Sequence, residues 1–463
     1  MFGFEIDHTS GIPNGKQLEH QIREAILTGR MKAGDKLPPT RALAKDMQIA
    51  RNTVIQAYDQ LLAEGYLNAK EGSGTYVANI GKLPKPKWMH YVPKMNQPKN
   101  KDVISFDAGN PDIHSFPRAV WAKMLKEACL DAEEDAFFYS NYSGHPRLKK
   151  AISSYVYRMK GIRCEENQII IVSGAAGGME IIAKLFERCI GRIAVEDPCI
   201  HFVKRIFTDH RYKLYPIKVD GQGMVVDNLI KLKDVGLIYV VPSHQYPIGG
   251  VFPISRRIAL LQYASDKNAY VIEDDYDSEF RYKGEALQAM QNLDQERVIY
   301  LGSFSKIFSP SLRLGYMILP NHLVEQVSDQ LKESNLWVNP IDQLAMARFM
   351  EELTMDKHIY KMRKLYENKR KHLIHCLTEA FQESICISGE YAGLHLLVSF
   401  DWELTDRDFK AMEEARVEAD YVEEYALVKG QHKNRLVLGY GALSLSQMEE
   451  GVARLRKALM ENV

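Results

Sequence analysis

A segment rich in lysine and proline divides this 463-residue chain into two unequal parts. Residues 81–101 hold six lysines and four prolines and contain no acidic residue. A segment of this composition cannot pack a core, and we expect an extended, semi-rigid linker. The length also exceeds that of one ordinary core, so two or more domains are expected. The sequence therefore predicts a small N-terminal domain (residues 1–78), a linker (residues 79–102) and a large C-terminal domain (residues 103–463).

The composition excludes several classes of protein. Hydrophobic residues make up 46% of the chain and the formal net charge is zero, which argues against a uniformly basic nucleic-acid binder. The six cysteines show no CxxC or metal-ligand spacing, which predicts reduced thiols and no metal site. The N-terminus carries Glu5 and Asp7 without the apolar run of a signal peptide, and no uncharged stretch approaches the roughly 20 residues of a membrane helix. We expect a cytoplasmic protein with no membrane association.

The N-terminal domain has the pattern of two helices, a third helix and a hairpin. Residues 16–28 and 40–47 have helical patterns, and apolar residues at i, i+3, i+4, i+7 and i+8 from Val54 predict the third helix. Residues 66–77 then predict two short strands around a glycine-rich tip. Two helices joined by a short turn and followed by a hairpin make a winged helix-turn-helix.

The polar face of the third helix is suited to DNA. A recognition helix presents its first residues to base edges, and an arginine can pair bidentately with guanine. The candidate DNA-binding residues are Arg41, Arg51, Asn52, Thr53 and Gln56, with Gly72 and Ser73 at the hairpin tip. The alternative is a three-helix interaction module whose polar face is simply solvated. The linker lysines are likewise either solvated or in contact with a nucleic-acid backbone.

The C-terminal domain carries hydroxyls and cations between two β-like segments, residues 298–301 and 314–319. Ser303-Phe-Ser305-Lys306 is followed closely by Arg313. A lysine can form a Schiff base with an aldehyde, while serines and an arginine can hold a phosphate. A small molecule that carries both groups is pyridoxal 5′-phosphate (PLP). For Ser-x-Ser-Lys taken alone, a solvated basic loop is the alternative.

Polar residues at the carboxyl end of an apolar strand, residues 269–273, supply a second element. Open α/β sheets place their ligands at such strand ends. A pyridinium cofactor needs a carboxylate at its ring nitrogen, and a phenol can donate to its ring oxygen. Asp274 and Tyr276, two apart on an extended chain, would point to the same face and serve both purposes. The alternative is an acidic turn that caps the next helix.

A third element is a turn of small residues between a strand and a helix. The turn reads Ser173-Gly174-Ala175-Ala176-Gly177-Gly178 and precedes a helical pattern over residues 179–188. Backbone N–H groups at such a turn form a cradle for a phosphate. The alternative is a tight turn that needs glycine only for packing.

The order of these three elements resembles the fold-type I (aspartate aminotransferase-like) PLP proteins. Residues 10–78, with Leu37-Pro38-Pro-Thr-Arg41 and Arg51-Asn52-Thr53-Val54, resemble the GntR-type DNA-binding domain. Together they resemble the MocR/GabR subfamily of transcriptional regulators. The resemblance implies an α+β winged helix-turn-helix joined to an α/β aminotransferase-like domain, with a small subdomain at about residues 330–463.

The same resemblance implies roles for particular residues. Lys306 becomes the Schiff-base lysine of a PLP cofactor. Tyr139, Gly144 and Leu148, and the run Pro242-Ser-His-Gln245-Tyr-Pro-Ile-Gly249, look like subfamily signatures, which makes Tyr139 and Gln245 candidate cofactor-binding residues. A homodimer, arranged head to tail, is also implied.

Two positions depart from the pattern of the family. Such proteins usually carry Glu-x-Pro-Gly-Tyr, whose tyrosine lies by the cofactor ring, whereas this chain has Ile200 there, followed by His201 and Phe202. An isoleucine can pack on a ring but cannot stack or hydrogen-bond as tyrosine does. Arg435 is the candidate for an effector carboxylate, although Val437, on the same strand face, occupies the place of that arginine in some relatives. The candidate effector-binding residues are thus Arg435 and His201.

Two functions fit these features. The first is a PLP-dependent transcriptional regulator that binds promoter DNA and senses a small amine, an amino acid or PLP itself. Relatives of this architecture answer to γ-aminobutyrate, taurine and PLP. The second is an aminotransferase with a DNA-binding appendage. The recognition helix favours the regulator, because an enzyme has no use for one. A protein-interaction module on a degenerate PLP fold is disfavoured, because the serine, lysine and arginine set is intact.

Overall fold

The computed structural model describes residues 3–81, 102–283, 287–334 and 336–460. The chain separates into two compact units, Met1–Gln97 and Pro98–Val463. The lysines and prolines of the predicted linker fall almost entirely at residues 82–101, outside the described residues. None of the helices in the described ranges is long and apolar enough to cross a bilayer.

The N-terminal unit consists of three helices and a hairpin. Its elements are α1 (Asn14–Leu27), α2 (Thr40–Asp46), α3 (Arg51–Ala63), β1 (Leu67–Lys70) and β2 (Gly74–Val77). Helix α3 buries Val54, Ala57, Tyr58 and Leu61 at helical spacing, and it packs against the fully buried Leu18 and Ile22 of α1. Strands β1 and β2 pair antiparallel. The predicted winged helix-turn-helix is confirmed.

The C-terminal unit is built around two sheets. Its strands are β3 (Ile104–Ser105), β4 (Ile169–Val172), β5 (Arg192–Asp197), β6 (Lys213–Asp220), β7 (Gly223–Met224), β8 (Leu237–Val240), β9 (Tyr270–Asp275), β10 (Val298–Ser303), β11 (Gly315–Ile318), β12 (Ile385–Ser388), β13 (His395–Phe400), β14 (Val417–Glu418), β15 (Asp420–Tyr421) and β16 (Arg435–Gly439). Its helices are α4 (Arg118–Asp131), α5 (Pro146–Lys160), α6 (Gly174–Phe186), α7 (His201–Asp209), α8 (Val226–Ile230), α9 (Ile254–Lys267), α10 (Val324–Glu333), α11 (Pro340–Glu351), α12 (Thr354–Phe381), α13 (Asp406–Glu414), α14 (Val422–Tyr425) and α15 (Leu445–Met460).

The large sheet has eight strands in the order β4-β11-β10-β9-β8-β5-β6-β7. Strands β10, β9, β8, β5 and β6 are parallel, whereas β11 runs antiparallel to both of its neighbours. Strands β8 and β10 are buried along their whole length, as central strands of a sheet covered on both faces require, whereas β6 near the edge is partly exposed. Because β4 is antiparallel to β11, its carboxyl end lies at the same edge as those of β9 and β10. The predicted α/β aminotransferase-like fold is confirmed.

The small sheet holds the order β12-β13-β16-β15, and its neighbouring strands are antiparallel. The long helix α12 and the C-terminal helix α15 pack together on the same apolar core. Strand β14 pairs with β3, so a segment near residue 104 joins this part of the fold. The segment that follows β3 continues along strand β16 of the small sheet, where the Phe106 carbonyl oxygen accepts from the Gly439 N–H.

Candidate functional site

Lys306 follows the carboxyl end of β10 and points at a neighbouring backbone segment. Its Nζ donates to the carbonyl oxygen of Ala108 (3.3 Å) and to that of Gly109. Burial lowers the pKa of Lys306, and three carboxylates oppose that effect, those of Asp107, Asp277 and Asp420. A lowered lysine pKa increases the fraction of neutral amine, which is the nucleophile that an aldehyde needs.

Asp274 lies near the end of β9 and is 4% exposed. Its Oδ2 accepts a hydrogen bond from the Tyr239 hydroxyl (2.8 Å) on the adjacent strand β8, whereas its Oδ1 is buried and has no partner among the described residues. Burial raises the pKa of Asp274 to about 7, and the charges of Asp275 and Asp277 add to this effect. Buried polar atoms are almost always satisfied, so the orphaned oxygen fits the protonated ring nitrogen of a pyridinium cofactor.

Tyr276 lies two residues beyond Asp274 and is tied to the loop that follows β8. Its hydroxyl donates to the carbonyl oxygen of His244 (3.0 Å), and His244 Nδ1 lies 3.0 Å from Asp277 Oδ2. Burial raises the pKa of Tyr276 well above its usual value, so its hydroxyl stays protonated, and its single proton is donated to the His244 carbonyl oxygen. A role of Tyr276 beside the cofactor ring remains a prediction.

Of the predicted phosphate-binding groups, Arg313 reaches the start of α6, while Ser303 and Ser305 contact each other at and just after the end of β10. The Ser305 N–H donates to Ser303 Oγ (3.2 Å), and Arg313 Nη2 donates to the carbonyl oxygen of Ser173 (2.8 Å). A Cβ atom added at Gly174 would lie 3.6 Å from Arg313 Cζ. Hydroxyls, a guanidinium and the N–H groups of a helix start together offer what a phosphate needs.

The small residues before that phosphate site differ from the prediction in one respect. Helix α6 begins at Gly174 and not after Gly178, so Ala175 and Ala176 lie in its first turn. A Cβ atom at Gly178 would stand 2.6 Å from Leu301 Cδ2 on β10, so the glycine allows the helix to approach the sheet. The same small residues therefore form the helix start that can bind a phosphate and allow the helix to pack closely on the sheet.

An unbroken row of aromatic side chains runs from the cofactor end of the site toward helix α7. Successive ring centroids are separated by 6.4 Å, 4.6 Å, 5.2 Å, 5.2 Å and 4.3 Å. We call these side chains the aromatic row; in order they are Tyr276, His244, His395, Tyr246, Tyr425 and His201. The row brings His201, a predicted effector residue, into one contact chain with Tyr276. His395 and Tyr425 were not predicted from the sequence, and His244 and Tyr246 were part of a predicted signature but not named as site residues.

Ile200, which occupies the place of the expected tyrosine, caps the start of α7 and packs on the core cluster that also contacts Tyr276. Phe202 packs against the same cluster. His201 instead stacks on Tyr425, with the ring planes inclined by 26°. Of the two residues considered as substitutes for the tyrosine, only His201 therefore joins the aromatic row.

Gln245 and Tyr139 are not brought to Lys306. The Gln245 amide is fully buried and donates to Pro198 O (3.0 Å) and Tyr246 O (2.7 Å), while its Oε1 accepts from the Ile248 N–H (3.0 Å). It braces the loop, and its neighbour in the chain, Tyr246, faces the site instead. Tyr139 is 79% exposed and packs edge-on against Trp337.

Arg435 lines a cavity whose lining does not include Lys306, and its role toward an effector remains a prediction. Its Nη1 donates to His432 Nδ1 (3.3 Å), and the two residues line a space of about 760 Å³ together with Lys218. Two positions along β16, the fully buried Val437 packs in an apolar cluster with Ala108, whose carbonyl oxygen holds Lys306. Arg435 and Val437 are two residues apart on β16 and so share a strand face, as predicted. It is Val437, and not Arg435, that packs beside the segment that holds Lys306.

The helix-turn-helix presents most of its predicted DNA-binding residues to solvent. Arg41, Arg51, Asn52 and Gln56 are exposed, and Arg51 Nε lies 3.5 Å from Thr40 Oγ1 at the start of α2. Thr53 is half-buried, and a Cβ atom at Gly15 of α1 would be 3.2 Å from its Cγ2. Thr53 therefore packs partly inward, which makes it the weakest of the predicted base contacts.

The wing has a well-defined tip and more charge than expected. Gly72 is exposed with φ +72°, a left-handed conformation that favours glycine, and Ser73 Oγ lies 2.7 Å from the Tyr76 hydroxyl. The ammonium groups of Lys36 and Lys70 lie 5.7 and 5.1 Å from the Tyr76 ring centroid. These two lysines, missed in the sequence because they are separated by 34 residues, add positive charge beside the wing.

The fold and these two sites define a class of protein, a DNA-binding domain joined to an aminotransferase-type PLP-binding domain. Residues 101–455 match the family described as aminotransferase class I and II, and residues 14–77 match the bacterial regulatory proteins of the gntR family. The structure is similar to kynurenine aminotransferase of Pyrococcus horikoshii, solved with PMP, at 25% identity and a TM-score of 0.72, covering 78% of this chain and 92% of that one.

Two regulators are similar over much of their length. The probable rhizopine catabolism regulatory protein MocR of Rhizobium meliloti is 32% identical over 98% of this chain and 95% of its own length. The pyridoxine biosynthesis regulator PdxR of Corynebacterium glutamicum is 31% identical over 76% of each chain. The chain belongs to the MocR-type transcriptional regulators of the GntR family, and PLP is its cofactor.

Proposed function

We propose that this protein is a PLP-dependent transcriptional regulator in which ligand binding near Lys306 changes how the winged helix engages promoter DNA. The observation that carries the proposal is the presence in one chain of an exposed recognition helix, with Arg51 and Asn52 at its start, and a buried lysine beside a carboxylate with an orphaned oxygen in an aminotransferase-type fold. Neither feature serves the other's chemistry, so their joint presence favours a sensor over a simple enzyme.

Different residues of the site are expected to bind different parts of PLP. When bound, PLP supplies an aldehyde that Lys306 can attack and a ring that withdraws electrons. Asp274, with its orphaned Oδ1, would keep the ring nitrogen protonated, and Tyr276 would turn its hydroxyl proton from the His244 carbonyl oxygen to the ring oxygen. The hydroxyls of Ser303 and Ser305 and the Arg313 guanidinium hold the phosphate at the start of α6.

In the DNA-binding unit, base contacts and phosphate contacts are assigned to different residues. Arg51, Asn52 and Gln56 read base edges in the major groove, since α3 presents them on its exposed face. Arg41 and the wing, with Gly72, Ser73 and the nearby lysines, contact the phosphate backbone. Phosphate contacts set the position of the domain and base contacts set its sequence preference.

We also propose that the protein acts as a cytoplasmic homodimer. Three consecutive aromatic residues, Phe137, Phe138 and Tyr139, are between 60% and 79% exposed, and Leu130 nearby in the sequence is 72% exposed. Exposed apolar groups of this size mark interaction surfaces. A partner subunit seated there would bury Tyr139, and in a head-to-tail dimer it would carry Tyr139 toward the partner's cofactor.

The proposal is tested by measuring DNA binding and the visible spectrum on the same purified protein. Binding to the promoter of its own or a neighbouring gene is measured by fluorescence anisotropy with PLP alone and with a panel of amines. We expect specific binding whose affinity or footprint changes with the ligand that changes the spectrum. Affinity that is equal for promoter and scrambled DNA would contradict the regulator. Rapid turnover of an amino donor would favour the alternative, an aminotransferase with a DNA-binding appendage.

A further inference from the structure

The backbone segment beside Lys306 is pressed against strand β16. The Gly439 N–H donates to the carbonyl oxygen of Phe106 (2.7 Å), and a Cβ atom at Gly439 would lie 2.5 Å from Ala108 Cα. Val437, on the same strand, packs against Ala108 without solvent exposure. This wall of the site therefore offers an aliphatic surface and no cation to a ligand joined to Lys306.

Two carboxylates flank the same segment. Asp107 accepts from the Gly109 N–H (2.6 Å), and Asp420, opposite Val437 in the β15–β16 register, lies 3.4 Å from the Tyr246 hydroxyl. In the described part of the chain, neither carboxylate forms a salt bridge, and the nearby cation on which both act is the ammonium group of Lys306. Burial and the charge of Asp107 raise the pKa of Asp420, while hydrogen bonds from the Ala108 N–H and from the Tyr246 and Tyr425 hydroxyls act in the opposite direction.

A buried histidine supplies an independent sign of a missing ligand. His395 donates to the backbone of Pro247, while its Nε2 is buried and has no partner among the described residues. Burial lowers the pKa of His395 well below its usual value, so the ring is neutral and Nε2 offers a lone pair. Its ring lies 5.2 Å from that of Tyr246, which reaches Asp420. His395 Nε2 is therefore a hydrogen-bond acceptor that a donor group of a ligand could satisfy.

We propose that the effector is a small primary amine without a carboxylate, bearing a second ammonium or hydroxyl group that Asp420, His395 and the face of Tyr246 recognise. The inference rests on the proposed function and names its ligand class. An ammonium gains from a carboxylate and from an aromatic face together. An amino acid would instead set its carboxylate beside Asp107 and Asp420 with no cation to pair it, which disfavours binding.

The test uses four probes with the same four-carbon backbone on the full-length, PLP-loaded protein. They are 1,4-diaminobutane, 4-amino-1-butanol, 4-aminobutanoate and butylamine. Isothermal calorimetry and the visible spectrum report binding, and calorimetry on the PLP-free protein reports recognition without the cofactor. We expect the diamine or the amino alcohol to bind at least about tenfold more tightly than 4-aminobutanoate, with butylamine between them.

Two variants localise the effect. Asp420→Asn should remove most of the preference for the diamine over butylamine, whereas Val437→Arg should reverse the order in favour of 4-aminobutanoate. Asp401→Asn, which removes an exposed carboxylate after β13, is the control that should change neither. Each variant is used only if its melting temperature and cofactor band match those of the parent.

The outcomes separate this inference from the proposed function. If 4-aminobutanoate binds as tightly as the diamine, or if Asp420→Asn leaves the order unchanged, the ligand class is wrong while the PLP site stands. If PLP alone changes DNA binding and no amine adds to that change, the inference is also overturned. If the protein neither takes up PLP nor binds promoter DNA, the proposed function itself fails.

Discussion

Tyr239 on β8 donates a 2.8 Å hydrogen bond to Asp274 on the neighbouring parallel strand β9, and both side chains are buried. The bond satisfies one carboxylate oxygen and directs the other, Oδ1, to a place without a protein partner. A tyrosine on one strand therefore orients the carboxylate on the next. The pair prepares the site for a ring nitrogen before the cofactor arrives.

The burial of Asp274 affects the stability of the PLP-free protein. The pKa of Asp274 is raised to about 7 from an unfolded value near 3.8, so the folded state binds the proton more tightly. This contribution is fully present below about pH 4 and is lost as the pH rises toward 7. In the parent, the free energy of unfolding should fall between about pH 4 and pH 7 by at most about 4 kcal/mol on account of Asp274. We expect Asp274→Asn to remove this fall. Urea unfolding at several pH values, compared with the parent, measures it.

Other buried carboxyls share this pH range and set the control. Burial also raises the pKa of Glu273 to about 7 and that of Glu196 to about 8. These groups keep part of the pH dependence in the Asp274→Asn variant, so the measured quantity is the difference between the two curves. Parallel curves would contradict the raised pKa of Asp274. Tyr239→Phe should steepen the decline, because it removes a hydrogen bond that stabilises the carboxylate.

Replacing the site lysine should abolish covalent attachment of the cofactor. We expect Lys306→Ala to lose the visible band that borohydride bleaches in the parent, because the substitution removes the amine that would join the aldehyde. Mass spectrometry of the borohydride-treated parent should find PLP on Lys306. The exposed Lys410→Ala is the control and should keep the band. PLP trapped on another lysine would show that the site is misassigned.

Arg51→Ala should weaken specific DNA binding by about tenfold or more, since a good arginine–base pairing is worth roughly 1–3 kcal/mol. Arg51 is exposed at the first turn of α3 and makes only a marginal contact with Thr40, so its removal should leave the fold intact. Fluorescence anisotropy with promoter and scrambled DNA measures the change. Arg188→Ala, an exposed arginine of the other unit, should have no effect. Equal loss on both DNAs would assign Arg51 to the phosphate backbone.

Local sequence patterns were sufficient for the groups that end a strand or begin a helix. Lys306, Asp274 and Ser303 all lie at carboxyl ends of parallel strands, and such ends meet at one edge of a sheet whatever the rest of the chain does. The recognition helix was equally accessible, because its apolar spacing and its polar start lie within thirteen residues. The positions of these strand ends and of the recognition helix are determined by residues close together in the sequence.

The remainder of the site depends on contacts that no local pattern encodes. Asp420 and Tyr425 reach Tyr246 across more than 170 residues, through the pairing of β15 with β16. The early start of α6 was missed for a different reason. Glycine has low helix propensity and predicts a turn, but packing of Gly178 against Leu301 overrides that preference.

A single added methyl group should disturb the segment that holds Lys306. We expect Gly439→Ala to destabilise the protein by about 1–3 kcal/mol, because its Cβ would stand 2.5 Å from Ala108 Cα, where only backbone could yield. The shift should also loosen the carbonyl groups that bind Lys306 and weaken PLP uptake. Thermal melting and spectral titration with PLP measure both effects. Gly191→Ala, where no atom lies within 4 Å, is the control and should change neither.

Turnover of amino donors should be slow or absent. Transamination requires the substrate's Cα–H bond to be held over the cofactor ring, and a tyrosine beside that ring supplies a polar orienting group. Here Ile200 takes that place and packs into the core, while His201 turns away to stack on Tyr425. The protein, incubated with a panel of amino acids and an α-keto acid acceptor, should show product formation well below an ordinary enzymatic rate of about 1–10³ per second. Mass spectrometry of the keto acid products measures it, with Lys306→Ala as the blank. A rate within that range would mean that the chain is an aminotransferase, whatever its winged helix binds.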